Sequence, residues 1–120
     1  MAEVRVGRIS EFADGDRRII ERDGVEVGVF CWGSEFFAYS NRCLHQGGPA
    51  CEGLIMHQVE DVIDADRKYR HQRFSDRANF VCPWHGYEYD IRTGEFAGNR
   101  RRRLKSYKIV RRGEELYVDI

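Results

Sequence analysis

Two short segments of the chain each carry one cysteine and one histidine, and they constrain the fold more than any other feature. The first reads Cys43-Leu44-His45 and the second reads Cys82-Pro83-Trp84-His85. Two thiolates and two imidazoles together make a set of four metal ligands. A zinc finger usually pairs cysteine with cysteine and histidine with histidine. Because each segment here supplies one of each, we expect two loops that are distant in sequence to meet at a metal centre of a different kind.

At these residues the chain resembles the Rieske iron–sulfur family. Both ligand segments match the family in order and composition. Their flanks match as well: Gly47-Gly48-Pro49 follows the first segment, and Tyr89-Asp90 with Thr93-Gly94-Glu95 follows the second. The resemblance covers most of the chain, from Val25 to Ile120.

The resemblance implies one [2Fe–2S] cluster per chain. Cys43 and Cys82 would bind one iron as thiolates, and His45 and His85 would bind the other as neutral imidazoles. A structural zinc site at the same four residues is the alternative. The colour and the EPR spectrum of the reduced protein distinguish the two.

Six further residues are expected to support the cluster, and one of them is Tyr89, which matches a tyrosine of the family. The glycines Gly47, Gly48 and Gly86 let the backbone approach it and direct N–H groups at sulfur. Pro83 fixes φ beside a ligand and stiffens its loop. Trp84 is interpreted as a shield of the cluster, a partner contact or a packing residue.

Two differences from the high-potential members of the family predict a low potential. Those members carry a disulfide between the two loops, and Trp84 occupies the position of one of its cysteines. They also place serine where this chain has Tyr87, although Tyr89 matches their tyrosine. We therefore expect a potential near the bottom of the Rieske range of roughly −150 to +300 mV. Without that disulfide, Cys51 is predicted to be a small buried neighbour, and Cys31 to belong to the core.

Short apolar runs separated by glycine turns predict an all-β fold. The turns are placed at Asp23-Gly24, at Gly33-Ser34 and near Gly113. The strands are expected at 4–9, 17–22, 25–31, 35–40, 87–90, 104–110 and 115–119. The resemblance implies antiparallel sheets with a small cluster-binding subdomain, at roughly 41–90, within one domain of residues 1–120.

The segment between the two ligand pairs, residues 46–81, is longer than is common in the family. We place an insertion within 55–79. Ile55, Val59, Val62 and Ile63 are spaced like one face of a helix, so a short helix is favoured over a strand at 59–63. The charged residues 64–77 are then expected to form a loop, with His57 and His71 on the surface.

Composition limits the partners of the chain. Lysine plus arginine equals aspartate plus glutamate, and the formal net charge of zero argues against a nucleic-acid-binding protein. No apolar run is long enough to span a bilayer, and no signal peptide is visible. These observations favour a cytoplasmic protein.

The expected function is one-electron transfer. The sequence after His85 contains no histidine, so the mononuclear iron site of the larger oxygenases is not expected, and no nucleotide-binding glycine pattern is present. The chain is interpreted as a ferredoxin component that carries electrons from a reductase to an oxygenase or other redox enzyme. The alternative is a small fixed subunit of a multicomponent oxygenase.

The arginine run 100–103 is predicted to be a solvated strand edge, although it could dock an acidic partner.

Overall fold

The computed structural model describes residues 2–44, 46–63, 69–84 and 86–120, and of residues 57–63 and 69–77 it describes the backbone alone. These ranges contain eleven strands and one short 3₁₀ helix, Ile9–Glu11. The strands are β1 (Glu3–Arg8), β2 (Arg17–Arg22), β3 (Val25–Trp32), β4 (Glu35–Ser40), β5 (Ile55–Ile63), β6 (Tyr69–Val81), β7 (Glu88–Asp90), β8 (Glu95–Phe96), β9 (Asn99–Arg103), β10 (Lys108–Arg112) and β11 (Glu115–Asp119). A helix long and apolar enough to cross a membrane does not occur among the described residues.

The strands form three antiparallel sheets. Two of them, β1-β11-β10 and β2-β3-β4, make the body of the molecule. The third, β5-β6-β7-β8-β9, carries the second cysteine–histidine segment. This architecture confirms the predicted all-β fold class.

Tight turns fix the register of the β2-β3-β4 sheet. Asp23 and Gly24 connect β2 to β3 and have φ angles of 51° and 81°. Gly33 and Ser34 connect β3 to β4 with φ angles of 60° and 61°. Positive φ at both turn residues matches the right-handed twist of the flanking strands. The predicted hairpins are therefore confirmed, and β4 leads directly into the first cysteine–histidine segment.

Strand β3 is buried on both faces and separates two cores. Val27 and Val29 belong to the body core, whose buried members are Val6, Val27, Val29, Ala38, Leu116 and Val118. Phe30 points the other way, into the loop core, whose buried members are Phe30, Tyr39, Cys43, Ala50, Cys51, Ala78, Phe80, Cys82, Tyr89, Ile91 and Leu104. A Cβ atom at Gly28 would lie 2.3 Å from the Cβ atom of Cys51, so glycine here makes room for that cysteine. Both Cys31 and Cys51 are buried and free of disulfides, as predicted.

The predicted insertion forms a long hairpin, so the expected helix at its start is wrong. Ile55–Ile63 is strand β5, and it pairs with β6 from Ile55 opposite Phe80 to Ile63 opposite Tyr69. The predicted loop at 64–77 is also wrong from residue 69 onwards, while residues 64–68 lie outside the described part of the chain. Two register shifts interrupt the pairing. They interrupt the period-two alternation of a strand. The apolar residues of β5 therefore have the spacing that is typical of one face of a helix.

Strand β9 forms one outer edge of the five-stranded sheet and contains the arginine run 100–103. The side chains of Arg101, Arg102 and Arg103 are exposed, and Arg100 Nη1 lies 3.7 Å from Asp90 Oδ2. These positions confirm the predicted solvated strand edge.

Candidate metal centre

The first ligand loop, residues 41–49, closes around Cys43. The Cys43 N–H donates to the Gly48 carbonyl at 2.8 Å, and the Cys43 carbonyl accepts from the Gly47 N–H at 3.1 Å. Gly47 has a φ of 69°, a conformation that glycine adopts without steric cost. The loop therefore buries the Cys43 thiol beneath a tight backbone turn, with 4% of the residue exposed.

The second ligand loop, residues 81–87, closes around Cys82 by the same pattern. The Cys82 N–H donates to the Tyr87 carbonyl at 2.8 Å, and the Cys82 carbonyl accepts from the Gly86 N–H at 3.0 Å. Gly86 has a φ of 73°, close to that of Gly47. Cys82 is buried as deeply as Cys43 and belongs to the same core. The two predicted cysteine ligands thus occupy equivalent points of two equivalent turns.

The segment that leaves the first loop packs against the start of the second loop. We call residues 50–54 the seam. The Val81 N–H donates to the Leu54 carbonyl at 2.8 Å. A Cβ atom at Gly53 would lie only 1.6 Å from the Val81 oxygen, so no other residue fits there without a backbone shift. The seam therefore sets the separation of the two loops.

Trp84 makes a second contact between the loops. Its ring lies so close to Gly48 that a Cβ atom there would be 2.7 Å from the indole Cδ2. The residue is nevertheless 57% exposed. One part of the ring therefore packs on the first loop while the rest faces solvent, so Trp84 combines packing with an exposed surface.

Tyr89 connects the floor of the site to the Cys43 sulfur. Its hydroxyl oxygen lies 3.1 Å from Cys43 Sγ and accepts a hydrogen bond from the Leu44 N–H at 3.0 Å. Burial, and then the contact with Cys43, raise the pKa of Tyr89 well above its ordinary value. The hydroxyl therefore keeps its proton. Because a ligating thiolate can only accept, the Tyr89 O–H would donate to it.

Stacked aromatic rings support Tyr89 from below. Its ring centroid lies 5.5 Å from that of Phe80, which in turn stacks on Phe30 of the body sheet at 4.6 Å. Offset stacks of this kind add stability beyond the area that they bury. The hydroxyl of Tyr89 is thereby held at a fixed distance from the first loop.

The described residues fit the two cysteine ligands of a [2Fe–2S] cluster. Two buried thiols lie at equivalent points of two loops, a hydroxyl donor reaches one sulfur, and the predicted glycines close the turns at Gly47 and Gly86 or leave room for the Trp84 ring at Gly48. Soft thiolates in this setting suit iron–sulfur chemistry. His45 and His85 lie outside the described residues, so their assignment as ligands stays a prediction.

Two supporting residues were not found from the sequence. Asn41 is buried; its Oδ1 accepts from the Cys51 N–H at 2.8 Å, and its Nδ2 donates to Glu52 at 2.9 Å. Arg17, in strand β2, donates to the carbonyls of Cys51 and Gly53. An asparagine before a loop signals only a local turn, and an arginine in a strand signals only a surface. Neither reveals a partner that is distant in sequence.

Comparison with known proteins agrees with this geometry. The Rieske [2Fe-2S] domain family matches residues 2–108. A human Rieske domain-containing protein is 32% identical over 94 residues, which cover 78% of this chain and 50% of that protein. The 3-phenylpropionate/cinnamic acid dioxygenase ferredoxin subunit of Photorhabdus laumondii is 25% identical over 121 residues, which cover 100% of this chain and 96% of that subunit. The chain thus spans half the length of one relative and nearly all of the other.

A solved structure extends the comparison to the fold. The ferredoxin of carbazole 1,9a-dioxygenase from Nocardioides aromaticivorans IC177 superposes with a TM-score of 0.67 at 26% sequence identity, covering 98% of this chain and 97% of that one. The cofactor that the family match implies is a Rieske-type [2Fe–2S] cluster. From the matched range and the paired loops, the chain belongs to the Rieske [2Fe–2S] domain family.

Proposed function

We propose that this chain is a ferredoxin that carries single electrons from a reductase to an oxygenase or another redox enzyme. It would act as one component of an oxidoreductase system and would not transform a substrate by itself. The observation that carries the proposal is the pair of equivalent loops around Cys43 and Cys82, in a chain that matches a dioxygenase ferredoxin subunit over nearly its full length. The same proposal makes residues 1–120 one cytoplasmic domain, with the cluster-binding part at roughly 41–90.

The proposed ligands are Cys43 and Cys82 on one iron and His45 and His85 on the other. A bound Rieske cluster supplies reversible one-electron transfer. The loops hold both thiols in place before and after the transfer, so little rearrangement accompanies it. Tyr89 donates a hydrogen bond to the Cys43 sulfur, and such donors adjust the potential of iron–sulfur centres.

The proposed potential is low for a Rieske centre. Trp84 packs on Gly48 where the high-potential relatives join the loops by a disulfide. The contact brings the loops together without adding a disulfide or another hydrogen-bond donor to sulfur. Redox titration is therefore expected to give a value near the bottom of the Rieske range, at roughly −150 mV. A potential well above zero would contradict this part of the proposal.

Chemical analysis tests the proposal directly. Protein purified in air should be coloured and should contain iron and acid-labile sulfide in equal amounts, and dithionite should produce the EPR spectrum of a reduced Rieske centre. The reduced protein should then donate electrons to a purified oxygenase. Colourless protein that holds zinc and no sulfide would overturn the proposal.

The hairpin β5–β6 favours one second candidate, a small fixed subunit of a multicomponent oxygenase. Strand β6 pairs with β7 through Asn79, Phe80 and Val81, and the Ala78 carbonyl accepts from the Ile91 N–H; for the described hairpin residues before Ala78, the strand pairing is between β5 and β6. Such a hairpin could serve as an assembly surface. Size-exclusion chromatography with candidate partners separates the two functions. A carrier should dissociate during the run, whereas a subunit should co-elute and should lose its partner when residues 58–76 are replaced by a short turn.

A further inference from the structure

Arg17 connects the body of the molecule to the seam between the ligand loops. It begins strand β2, and its Nη1 donates to the carbonyl of Cys51 at 2.8 Å and also to the carbonyl of Gly53. Gly53 is the residue that contacts the backbone of Val81, one position before Cys82. A single guanidinium therefore ties the body sheet to the segment that sets the separation of the loops.

The charge of Arg17 also faces the second ligand loop. Arg17, Cys82, Pro83 and Gly86 line one groove of about 410 Å³ beside that loop. The carboxylate in the same groove, Glu52, accepts a hydrogen bond from Asn41. Burial raises the pKa of the Cys51 thiol to about 12, and the positive charge of Arg17 opposes this rise. The field of Arg17 thus reaches the interior between the two loops.

A cation in this position affects the two redox states differently. Reduction adds one negative charge to the site, and a nearby positive charge stabilises that state more than the oxidised one. A partly buried charge is screened by salt less than an exposed one. The difference favours the reduced form and therefore raises the potential.

We propose that Arg17 is a positioning residue of the metal centre that also raises its reduction potential. Its two carbonyl contacts hold the seam, and its charge stabilises the reduced state. This inference rests on the proposed function, because it concerns the potential of the same cluster. Strand β2, which belongs to the body, would thus influence the reduction potential of the cluster.

Redox titration of charge variants tests the inference. Arg17→Gln should lower the potential, and Arg17→Lys, which keeps the charge but not both contacts, should stay nearer to the unmodified protein. Arg18→Gln is the matched control. Arg18 is the next residue of β2, and its Nη1 donates to the Val6 carbonyl at 2.7 Å, so its guanidinium has a similar contact away from the groove. The control should leave the potential unchanged.

A variant of opposite charge separates electrostatics from damage. Glu52→Gln removes a negative charge from the same groove and should raise the potential, by less than Arg17→Gln lowers it, because Glu52 is exposed. If the two substitutions acted only by loosening the loops, the potentials of Arg17→Gln and Glu52→Gln would not shift in opposite directions. The inference is overturned if Arg17→Gln matches Arg18→Gln, or if Arg17→Gln and Glu52→Gln shift in the same direction. If Arg17→Gln cannot hold the cluster, its positioning role is supported, and a Glu52→Gln potential that fails to rise overturns the electrostatic part.

Iron and sulfide analysis of the unmodified protein keeps the two proposals distinct. Unmodified protein without a cluster would overturn the proposed function and this inference together. Unmodified protein with a cluster, accompanied by an unchanged potential in Arg17→Gln, would overturn only the role of Arg17.

Discussion

The two ligand loops share one backbone pattern but are held by different contacts. Around the first loop the contacts come from side chains: Tyr89 reaches Cys43 and Leu44, and the Trp84 ring covers Gly48. The second loop is joined to the seam through backbone, where Val81 hydrogen-bonds to Leu54 and its oxygen abuts Gly53. The two turns thus share their main-chain hydrogen bonds, but Tyr89 reaches the first through its side chain, whereas the seam contacts the second through its main chain.

Because of this difference, we expect substitutions near the two loops to have different effects. Side chains that reach a sulfur can adjust its chemistry, so substitutions around the first loop should change the potential. Main-chain packing leaves little freedom for adjustment, so a substitution that displaces the seam backbone, such as one at Gly53, should change folding and cluster retention. The second loop also presents Pro83 and Trp84 to solvent.

The largest expected effect is loss of the cluster, and it should be equal for the two loops. Cys43→Ala and Cys82→Ala each remove one of two equivalent thiolates, and an iron without its thiolate is not retained. Iron and sulfide content should fall to background in both variants. Cys51→Ala is the matched control: it removes a third buried thiol, and iron should remain. A coloured Cys43→Ala protein, or a colourless Cys51→Ala protein, would show that the ligand set is wrong.

The next effect tests the main-chain contact of the second loop. Gly53→Ala places a Cβ atom 1.6 Å from the Val81 oxygen. The backbone at position 53 or at Val81 must then move, and either movement separates the loops. We expect a loss of about 3 kcal/mol or more in the free energy of unfolding, together with reduced iron content. Thermal unfolding monitored by circular dichroism and iron analysis measure both.

Gly86→Ala provides the comparison for Gly53→Ala. A Cβ atom at Gly86 meets no atom of the described residues within 4 Å, and its φ of 73° opposes alanine. The expected loss is about 1 to 2 kcal/mol. A Gly86→Ala variant that is less stable than Gly53→Ala would contradict the role given to the seam.

A smaller effect tests the side-chain contact of the first loop. Tyr89→Phe removes the O–H donor to Cys43 and leaves the Leu44 N–H without its acceptor. We expect about 1 to 3 kcal/mol of lost stability. The potential should fall by roughly 40 mV, which corresponds to about 1 kcal/mol for one electron.

Tyr39→Phe is the matched control for Tyr89→Phe. Tyr39 is also buried, but its hydroxyl donates to the Ile91 carbonyl at 2.9 Å and does not touch a cysteine. The control should lose stability without a change of potential. Equal potentials in the two variants would assign Tyr89 a purely structural role.

The sequence predicted the parts of the molecule that depend on local chemistry. The turn at Asp23-Gly24 requires positive φ at two residues, and the pair Asp-Gly is typical of such turns. Cys43 and Cys82 stand out in the sequence because few residue types bind soft metals, and the structure places both in one buried core. Burial of Cys51 followed from the absent disulfide partner at position 84.

The features that were predicted wrongly, or not predicted at all, depend on contacts between residues that are distant in sequence. Strand β6 carries charged residues between Arg70 and Arg77, and its pairing with β5, and at its end with β7, makes it a strand. Apolar spacing in β5 suggested a helix because register shifts interrupt the alternation. The contacts of Arg17 with Cys51 and Gly53 likewise exist only after the body and the loops have met.

The smallest expected effect concerns the pH dependence of the seam, where Cys51 lies. Burial raises the pKa of its thiol from 9.0 to about 12. Above about pH 9 the unfolded chain therefore holds fewer protons than the folded protein, and the free energy of unfolding falls as pH rises, by up to about 1.4 kcal/mol per pH unit. Near pH 10 the loss from this thiol should be about 1.4 kcal/mol. Thermal unfolding across this range measures the slope.

Cys51→Ala isolates the contribution of the thiol. At neutral pH the variant should be less stable by about 1 kcal/mol, because a small cavity remains where the sulfur packed. Tyr39 and Tyr89, whose pKa values burial also raises, are present in both proteins, so their alkaline losses cancel in the difference. The two stability curves should therefore converge near pH 10, since only the unmodified protein loses the proton of Cys51 on unfolding. Parallel curves would mean that the thiol titrates alike in both states, and the seam would then admit water between the loops.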